Sequence, residues 1–390
     1  MSAWATVLDA ARPERIGTVS RVRGLGVEVR GIDGAVGDLV ELGDGVDAEV
    51  VATGPDGLSC MPLASTSGLT RGMPVRSKGG RLRVPIGSGL LGRVLDGLGR
   101  PIDGKGPLGA PMVDLDHAAP SILGRDRITT QLPLGVRVLD TLIAVGRGQR
   151  VGLFAGSGVG KSSLLSMVAR GTEADATVIA LVGERGREVR EFLEDDLGPE
   201  GLARSVVVVS TSDQPAMTRI RAAYTATRIA EGFRDQGAHA ILMMDSLTRV
   251  AMAQREIGLS AGEPPATRGY PPSTFSILDG HVVLDRALAL SGHHPAIDVL
   301  ASVSRVAGKI TSAEQRAATT TLRAVLAARR SANDLIDIGA YQPGANPKVD
   351  AAIAHERTIS DFLTQQLDEI TTPGEAWQRL ERLVADLGGV

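Results

Sequence analysis

The stretch Val151-Gly152-Leu153-Phe154-Ala155-Gly156-Ser157-Gly158-Val159-Gly160-Lys161-Ser162-Ser163 decides the central fold of this chain. An apolar run passes into a glycine-rich turn, and the apolar face of a helix follows. Glycines let backbone N–H groups turn inward around phosphate oxygens, and the start of the helix adds its dipole. Lys161 would reach the β and γ phosphates, and the Ser162 hydroxyl would hold Mg²⁺. The pattern predicts a phosphate-binding loop whose nucleotide-binding residues are Gly156, Ser157, Gly158, Val159, Gly160, Lys161, Ser162 and Ser163.

Short apolar runs continue through this part of the chain and alternate with helical segments. The four runs are Val151–Phe154, Thr177–Val182, Ser205–Val209 and Ala240–Met244. The segment Met217–Phe233, between the last two runs, has apolar residues at helical spacing. Apolar strands that alternate with helices need crossover connections, so the pattern predicts an α/β core with buried strands in a mostly parallel sheet.

Two carboxylates lie where the predicted strands end. Asp245 directly follows Met244, and Glu184 lies two residues after Val182. An Asp at the carboxyl end of a parallel strand lies at the same end of the sheet as the phosphate loop and can bind Mg²⁺ through water. A Glu at that end can orient and polarise an attacking water. Arg185 either holds a phosphate or pairs with a neighbouring acid.

The two ends of the chain differ in pattern from its centre. From Ile16 to about Ile86, short runs such as Leu82–Ile86 alternate apolar and polar residues, and Gly or Asp-Gly pairs separate them. This pattern predicts a small antiparallel barrel of about six strands. The segment Gly87–Pro107 is typical of a turn-rich connector, and the residues after Thr311 are mostly helical in pattern.

These changes of pattern divide the chain into four predicted parts. Residues 1–15 form an N-terminal partner-binding segment, in which Ser2–Ala11 can make one amphipathic helix; a docked or disordered terminus is the alternative. The other three parts are the barrel, the nucleotide-binding core and a C-terminal helical domain, at residues 16–90, 91–310 and 311–390.

The composition excludes several classes of protein. A formal net charge of −3 gives no electrostatic basis for nucleic-acid binding. The single cysteine, Cys60, rules out a disulfide framework and a cysteine zinc site, and it fits a reducing cytoplasm. His293 and His294 have no third ligand at metal spacing. No apolar run approaches the ~18 residues of a spanning helix, so any membrane association is expected to be peripheral.

Three longer motifs resemble the rotary-type ATPase superfamily: Ala155–Ser162, Val182–Glu188 and Met244–Arg249. Within it, Ala251–Ile257 and Gly262–Ser273 resemble the flagellar export ATPase and its virulence-secretion relatives. The resemblance implies an N-terminal antiparallel β-barrel, a RecA-like P-loop core and a C-terminal α-helical domain. It also implies a cytoplasmic homohexamer at the inner face of the cell membrane. ATP and Mg²⁺ would bind at subunit interfaces, and export regulator, stalk and gate proteins, chaperones and export substrates would be partners.

The same resemblance assigns roles to individual residues. Lys161 and Ser162 would bind the phosphates and Mg²⁺, while Asp245 would be the aspartate on the Mg²⁺ side. Glu184 would be the catalytic carboxylate. The remaining assignments are Arg305 as an arginine finger acting on the neighbouring subunit, and Tyr341 and Phe362 as residues flanking adenine. Arg185 is a further candidate catalytic residue, through its reading as a phosphate clamp.

Two features depart from the family. His294 stands where relatives have a Tyr expected to stack on adenine. At Phe275-Ser276, relatives carry a few dozen further residues, which supply a helix and a strand between the P-loop strand and the Asp245 strand. Either Val282–Leu284 or another segment fills that place, or the core is damaged. ATP binding could survive on the P-loop alone, whereas hydrolysis needs Glu184, Asp245 and Arg305 placed within about 0.5 Å.

The sequence therefore predicts a Mg²⁺-dependent ATPase that energises flagellar or type III protein export. A non-hydrolysing nucleotide-binding ring subunit is an alternative, because the core is shortened. A catalytic subunit of a rotary proton-translocating ATPase is another, although Gln254–Glu256 and Pro264–Ala266 argue against it. An RNA-translocating hexamer is less favoured, since no basic or aromatic RNA-binding platform is visible.

Overall fold

The computed structural model describes residues 15–117, 124, 126–156, 158–260 and 280–388. The predicted helix at Ser2–Ala11, the loop residue Ser157 and the Phe275-Ser276 junction lie outside them. The strands are β1 (Gly17–Arg23), β2 (Gly26–Arg30), β3 (Asp38–Leu42), β4 (Val46–Gly54), β5 (Gly57–Pro62), β6 (Pro74–Arg81), β7 (Arg83–Pro85), β8 (Arg93–Asp96), β9 (Met112–Asp114), β10 (Val151–Ala155), β11 (Ala176–Val182), β12 (Ser205–Ser210), β13 (Ala240–Asp245), β14 (Gly280–Leu284) and β15 (Val303–Ser304).

Helices occupy much of the rest of the described chain. They are α1 (Arg137–Asp140), α2 (Lys161–Gly171), α3 (Gly186–Glu191), α4 (Gly198–Ala203), α5 (Ala216–Asp235), α6 (Leu247–Ser260), α7 (Arg286–Leu290), α8 (Ala307–Ile310), α9 (Ala313–Asp337), α10 (Pro347–Ala354), α11 (Glu356–Leu363) and α12 (Pro373–Asp386). Both α9 and α12 begin with a capping box, which satisfies backbone N–H groups at the helix start. No helix among the described residues is long and apolar enough to span a membrane.

The predicted N-terminal barrel is confirmed. Six strands close in the order β1-β2-β5-β4-β3-β6. Val27 and Val29 point into its core, while Glu28 between them is exposed, as strand alternation requires. The prediction was wrong for Leu82–Ile86, since β7 lies outside the barrel and pairs with β9.

Parallel pairing is confirmed in the core. The strands β13, β11, β12 and β8 form one sheet in that order, and all its pairs are parallel. The strand β8 lies within Gly87–Pro107, which was wrongly predicted to be a connector only. Its four residues are too few to show a periodic pattern.

The P-loop strand β10 belongs to a different sheet, whose order is β10-β14-β15. Val282–Leu284, one of the segments considered for the missing strand, lies in β14 and pairs with Leu153–Ala155 of β10. Val151–Phe154 were predicted to be buried and are only half-buried. Among the described strands β10 has a hydrogen-bonded neighbour on one side alone, which accounts for this exposure.

The chain divides into two compact units. One contains the described parts of Met1–Ala119, Ala176–Glu191 and Leu202–Thr267. The other contains those of Pro120–Asp175, Phe192–Gly201 and Arg268–Val390. The barrel and the four-stranded sheet thus belong to the first unit, whereas the P-loop and the C-terminal helices belong to the second.

A buried arginine joins the start of the second unit to its C-terminal helices. The Arg137 side chain is 1% exposed. Its guanidinium donates to the carbonyls of Asp361, Phe362 and Thr364 at 3.0, 3.1 and 2.9 Å, and it pairs with Glu369. Burial lowers the pKa of Arg137, and Glu369 opposes that shift. The single buried guanidinium of Arg137 therefore supplies the hydrogen-bond donors for three backbone carbonyls and one carboxylate.

Replacing Arg137 by alanine should lower the free energy of unfolding by about 3–5 kcal/mol, because it leaves Glu369 and three carbonyls without their donor. Urea unfolding followed by circular dichroism measures the change. Arg379→Ala is the matched control: its exposed guanidinium lies 3.4 Å from the same Glu369, so it should cost less than about 1 kcal/mol. Equal losses of stability in the two variants would contradict the role of Arg137 as the buried donor.

Candidate nucleotide site

The loop between β10 and α2 has the backbone that phosphate binding requires. Gly158 and Gly160 have φ values of 73° and 86°, in the left-handed region. Neither would meet another atom if it carried a Cβ, so backbone conformation rather than space favours glycine at both positions. Gly160 caps α2 without any side-chain hydrogen bond, and the first turn of α2 has no acidic residue. The helix dipole therefore favours an anion at this helix start.

The other end of α2 is held by close backbone contact. A Cβ on Gly135 would lie 2.6 Å from Gly171 Cα, so glycine at 135 allows this approach. The two carboxylate oxygens of buried Asp140 accept the N–H groups of Leu134 and Gly135 at 2.7 and 2.9 Å. Lys161 and Ser162 therefore begin a helix whose far end is fixed.

Glu184 and Asp245 lie at the carboxyl ends of neighbouring strands. Leu181 on β11 is in register with Asp245 on β13, and Glu184 follows three residues later. Asp245 is 4% exposed, and Glu184 is half-buried. The Glu184 carbonyl accepts the N–H of Ser212 at 3.0 Å. The two carboxylates thus lie at the same end of the sheet, where the parallel strands terminate, as the sequence predicted.

Sequence reasoning assigned no role to Gly183 and Arg249. Gly183 has φ 76°, and a Cβ there would lie 2.7 Å from the Arg249 Cβ. Arg249 is the third residue of α6, in its first turn, and its N–H donates to the Ser246 carbonyl at 3.0 Å. The arginine stem therefore packs directly on the residue before Glu184. Its place in the Met244–Arg249 motif was the available signal.

Arg185 pairs with a neighbouring acid, one of the two readings that the sequence left open. Its guanidinium lies 3.0 Å from Glu188, three residues later, and its side chain is 67% exposed. The catalytic role of Arg185 stays a prediction.

Arg305 follows β15, and the strand register places it along the P-loop sheet. Ser304 is in register with Gly280, and Gly280 with Val151 at the start of β10. The P-loop begins after Ala155, so about 13 Å of strand separates the two ends of β10. Arg305 is exposed. It thus lies toward the end of the sheet opposite its own P-loop.

One of the residues discussed for adenine, His294, contacts the segment that follows Phe362. The carbonyl of His294 accepts the N–H of Gln365 at 2.9 Å, three residues after Phe362. Phe362 is 5% exposed. The hydroxyl of Tyr341, in the loop between α9 and α10, instead donates to the Asp350 carboxylate in α10 at 3.0 Å and to the Asn346 carbonyl at 3.2 Å. A role of Tyr341 and Phe362 at adenine stays a prediction.

The donor chemistry fits a nucleotide with Mg²⁺. The Ser162 hydroxyl and the Asp245 carboxylate are hard oxygen donors, which Mg²⁺ prefers together with water and phosphate oxygens. The described residues contain no cluster of three or more His, Cys, Asp or Glu that could hold a metal by itself. Lys161, Ser162 and Arg305 belong to the second compact unit, and Glu184, Arg185 and Asp245 to the first.

Comparison with known proteins decides the family. The profile of the ATP synthase alpha/beta family nucleotide-binding domain matches residues 135–278 and 272–304. The profile of the T3SS EscN ATPase C-terminal domain matches residues 311–382. The flagellum-specific ATP synthase of Bacillus subtilis is 46% identical, over 91% of this chain and 92% of the relative. The chain belongs to the flagellar and type III secretion ATPase family.

Other members of this ATPase family agree with that assignment. The type 3 secretion system ATPase of Xanthomonas euvesicatoria is 43% identical, over 92% of this chain and 91% of the relative. The assembled ATPase EscN of enteropathogenic E. coli has a TM-score of 0.87 and 36% identity, covering 94% of this chain and 100% of EscN. A second EscN structure, in complex with its central stalk EscO, has a TM-score of 0.88 and 38% identity, covering 94% of this chain and 100% of that one.

The same comparisons locate the shortening of this export ATPase. The Bacillus alignment spans 403 positions, so roughly 48 of them (403 less 91% of 390) hold residues of the relative alone. The nucleotide-binding profile matches in two pieces that meet at residues 272–278. That region contains Phe275-Ser276, where the sequence indicated the break.

Proposed function

We propose that this chain binds ATP with Mg²⁺ and hydrolyses it as one subunit of a homohexameric ring that energises flagellar or type III protein export. The observation that carries the proposal is the shared position of Glu184 and Asp245 at the ends of neighbouring parallel strands. The uncapped start of α2 supports the nucleotide part, and the named relatives support the export part.

Each residue has a distinct task in this proposal. The ammonium of Lys161 and the N–H groups at the start of α2 hold the phosphates. Glu184 orients the attacking water and accepts its proton. Ser162 and Asp245 would hold Mg²⁺, which neutralises phosphate charge when bound. Arg305 of the neighbouring subunit completes the catalytic site. Its guanidinium stabilises the charge that develops on the γ phosphate.

The ring and its partners are part of the same proposal. The position of Arg305 at the far end of β10 favours action on a neighbour, and EscN is described as an assembled ATPase with a central stalk. A stalk protein, an export regulator, gate proteins, chaperones and substrates are the proposed partners, with the ring in the cytoplasm at the inner face of the membrane. The domain boundaries after residues 15, 90 and 310 are also part of the proposal.

Glu184→Gln should lower ATP turnover at least about a hundredfold, because glutamine cannot accept the proton of the attacking water. Nucleotide affinity should change less than about threefold, since the phosphates bind elsewhere. Phosphate release measures turnover, and a fluorescent ATP analogue measures affinity. Glu191→Gln, an exposed change on the following helix, is the control and should leave turnover unchanged.

A chain that binds ATP but hydrolyses none would instead favour the second candidate, a non-hydrolysing ring subunit. The observation behind that candidate is the separation of the P-loop strand and the Asp245 strand into two sheets.

A further inference from the structure

Among the described residues, the four-stranded sheet of the first compact unit has one edge that no further strand covers. Its order is β13-β11-β12-β8, so β13 and β8 are the two outer strands. All six residues of β13 pair with β11 in an unbroken parallel register. Among the described strands no other strand pairs with β13. Alternate residues of a strand direct their backbone groups to opposite edges, so about half of those on β13 face outward.

The opposite edge of the same sheet is closed by the chain itself. The N–H of Ile102 donates to the Val94 carbonyl at 2.9 Å, and Asp96 N–H donates to the Arg100 carbonyl at 2.7 Å. Pro101, which has no N–H, bridges to Leu95 at this edge. Proteins usually protect edge strands in such ways, because open edges pair with other chains. The protection of β8 contrasts with the open edge of β13.

The residues of β13 have none of the usual protective features. Ala240–Met244 is entirely apolar, without charge, proline or bulge. Leu242 and Met244 pack against the buried core of the sheet, and Met243 is 7% exposed. Apolar strands of this kind normally lie inside a parallel sheet, with a neighbour on each side. The composition of β13 therefore favours a second strand neighbour, on the side where the described residues supply none.

The connection after β13 shows where that strand belongs. The helix α6 (Leu247–Ser260) follows β13, and the break in the family match comes at residues 272–278. A strand that follows a β-α pair in a parallel sheet usually lies beside the preceding strand, through a right-handed crossover. Because β11 occupies one side of β13, the additional residues of the Bacillus relative would place their strand on the open side.

We infer that the outer edge of Ala240–Met244 is a binding site for one extended apolar peptide segment of about five residues that lies parallel to β13. Backbone hydrogen bonds to the outward groups provide affinity, and apolar side chains on both faces continue the two faces of the sheet. A segment with a charge or proline at its centre is excluded, since it would bury a charge or lose a hydrogen bond.

The test uses the full chain and labelled ten-residue peptides from the part of the Bacillus relative that has no counterpart at residues 272–278. Fluorescence anisotropy should find one peptide that binds. N-methylation of its central residues at alternate positions should weaken binding at least about tenfold in one set and less than about threefold in the other. A proline at the centre should abolish binding. These comparisons leave the protein unchanged, so misfolding cannot produce the result.

Three results would overturn the inference. One is the absence of binding by every peptide in the series. Another is equal weakening by both N-methylated sets, which would indicate an apolar contact without strand pairing. The third is a stable dimer that excludes the peptide in sedimentation, which would make a second copy the occupant. Lys161→Ala should bind the peptide normally, so loss of ATP binding and loss of peptide binding are distinguishable.

Discussion

Lys161→Ala is expected to weaken ATP binding at least about a hundredfold, equivalent to about 2.7 kcal/mol. The lysine is the first residue of α2, and the proposal places its side-chain charge against the phosphates. A fluorescent ATP analogue measures the affinity directly, with Mg²⁺ present. The backbone N–H groups at the helix start remain in the variant, so some binding should persist at high nucleotide concentration.

Lys348→Ala provides the matched control for this substitution. Lys348 lies near the start of α10 and has no proposed contact with nucleotide. Its removal should leave ATP affinity within about twofold. Unchanged affinity in Lys161→Ala, with the fold intact by circular dichroism, would show that the glycine loop is not the phosphate site.

Insertion of the missing segment of the Bacillus relative between Phe275 and Ser276 is expected to raise ATP turnover at least about tenfold. A strand bonded to β13 on one side and to β10 on the other would bring both into one sheet. The P-loop and Asp245 would then be held by a continuous hydrogen-bond ladder, and catalysis gains steeply from placement within about 0.5 Å. Phosphate release at saturating ATP and Mg²⁺ measures the gain.

Two controls make the insertion experiment specific. An insertion of equal length with its apolar residues scrambled should not raise turnover. The correct insertion combined with Glu184→Gln should show turnover no higher than that of the substitution alone. A rise in turnover with the scrambled segment would contradict the explanation, since any longer connection would then suffice.

Much of the core was predictable because its chemistry is local in sequence. A run that ends in Gly-Val-Gly-Lys-Ser can be placed between a strand and a helix without knowing the rest of the fold. Asp245 follows an apolar run directly, so its place at a strand end was predictable too. The barrel was predictable because alternation identifies half-buried strands.

Other features depend on partners distant in the chain. The burial of Arg137 depends on carbonyls more than 220 positions later, which its local sequence does not show. The half-exposure of Val151–Phe154 follows from the open side of β10, where none of the described strands pairs with it. The strand β8 is too short to show alternation and is recognised only by its pairing with β12.

The place of Arg305 along its sheet has a consequence for mixed assemblies. In the proposed ring, every catalytic centre takes Lys161 from one protomer and the Arg305 guanidinium from the next. A substitution of Lys161 and a substitution of Arg305 can then be placed on different chains. Co-assembly of Lys161→Ala and Arg305→Ala protomers in equal amounts would leave about one centre in four with both groups intact, although neither variant alone could form one. Complementation between two inactive proteins would then report the head-to-tail order of the ring.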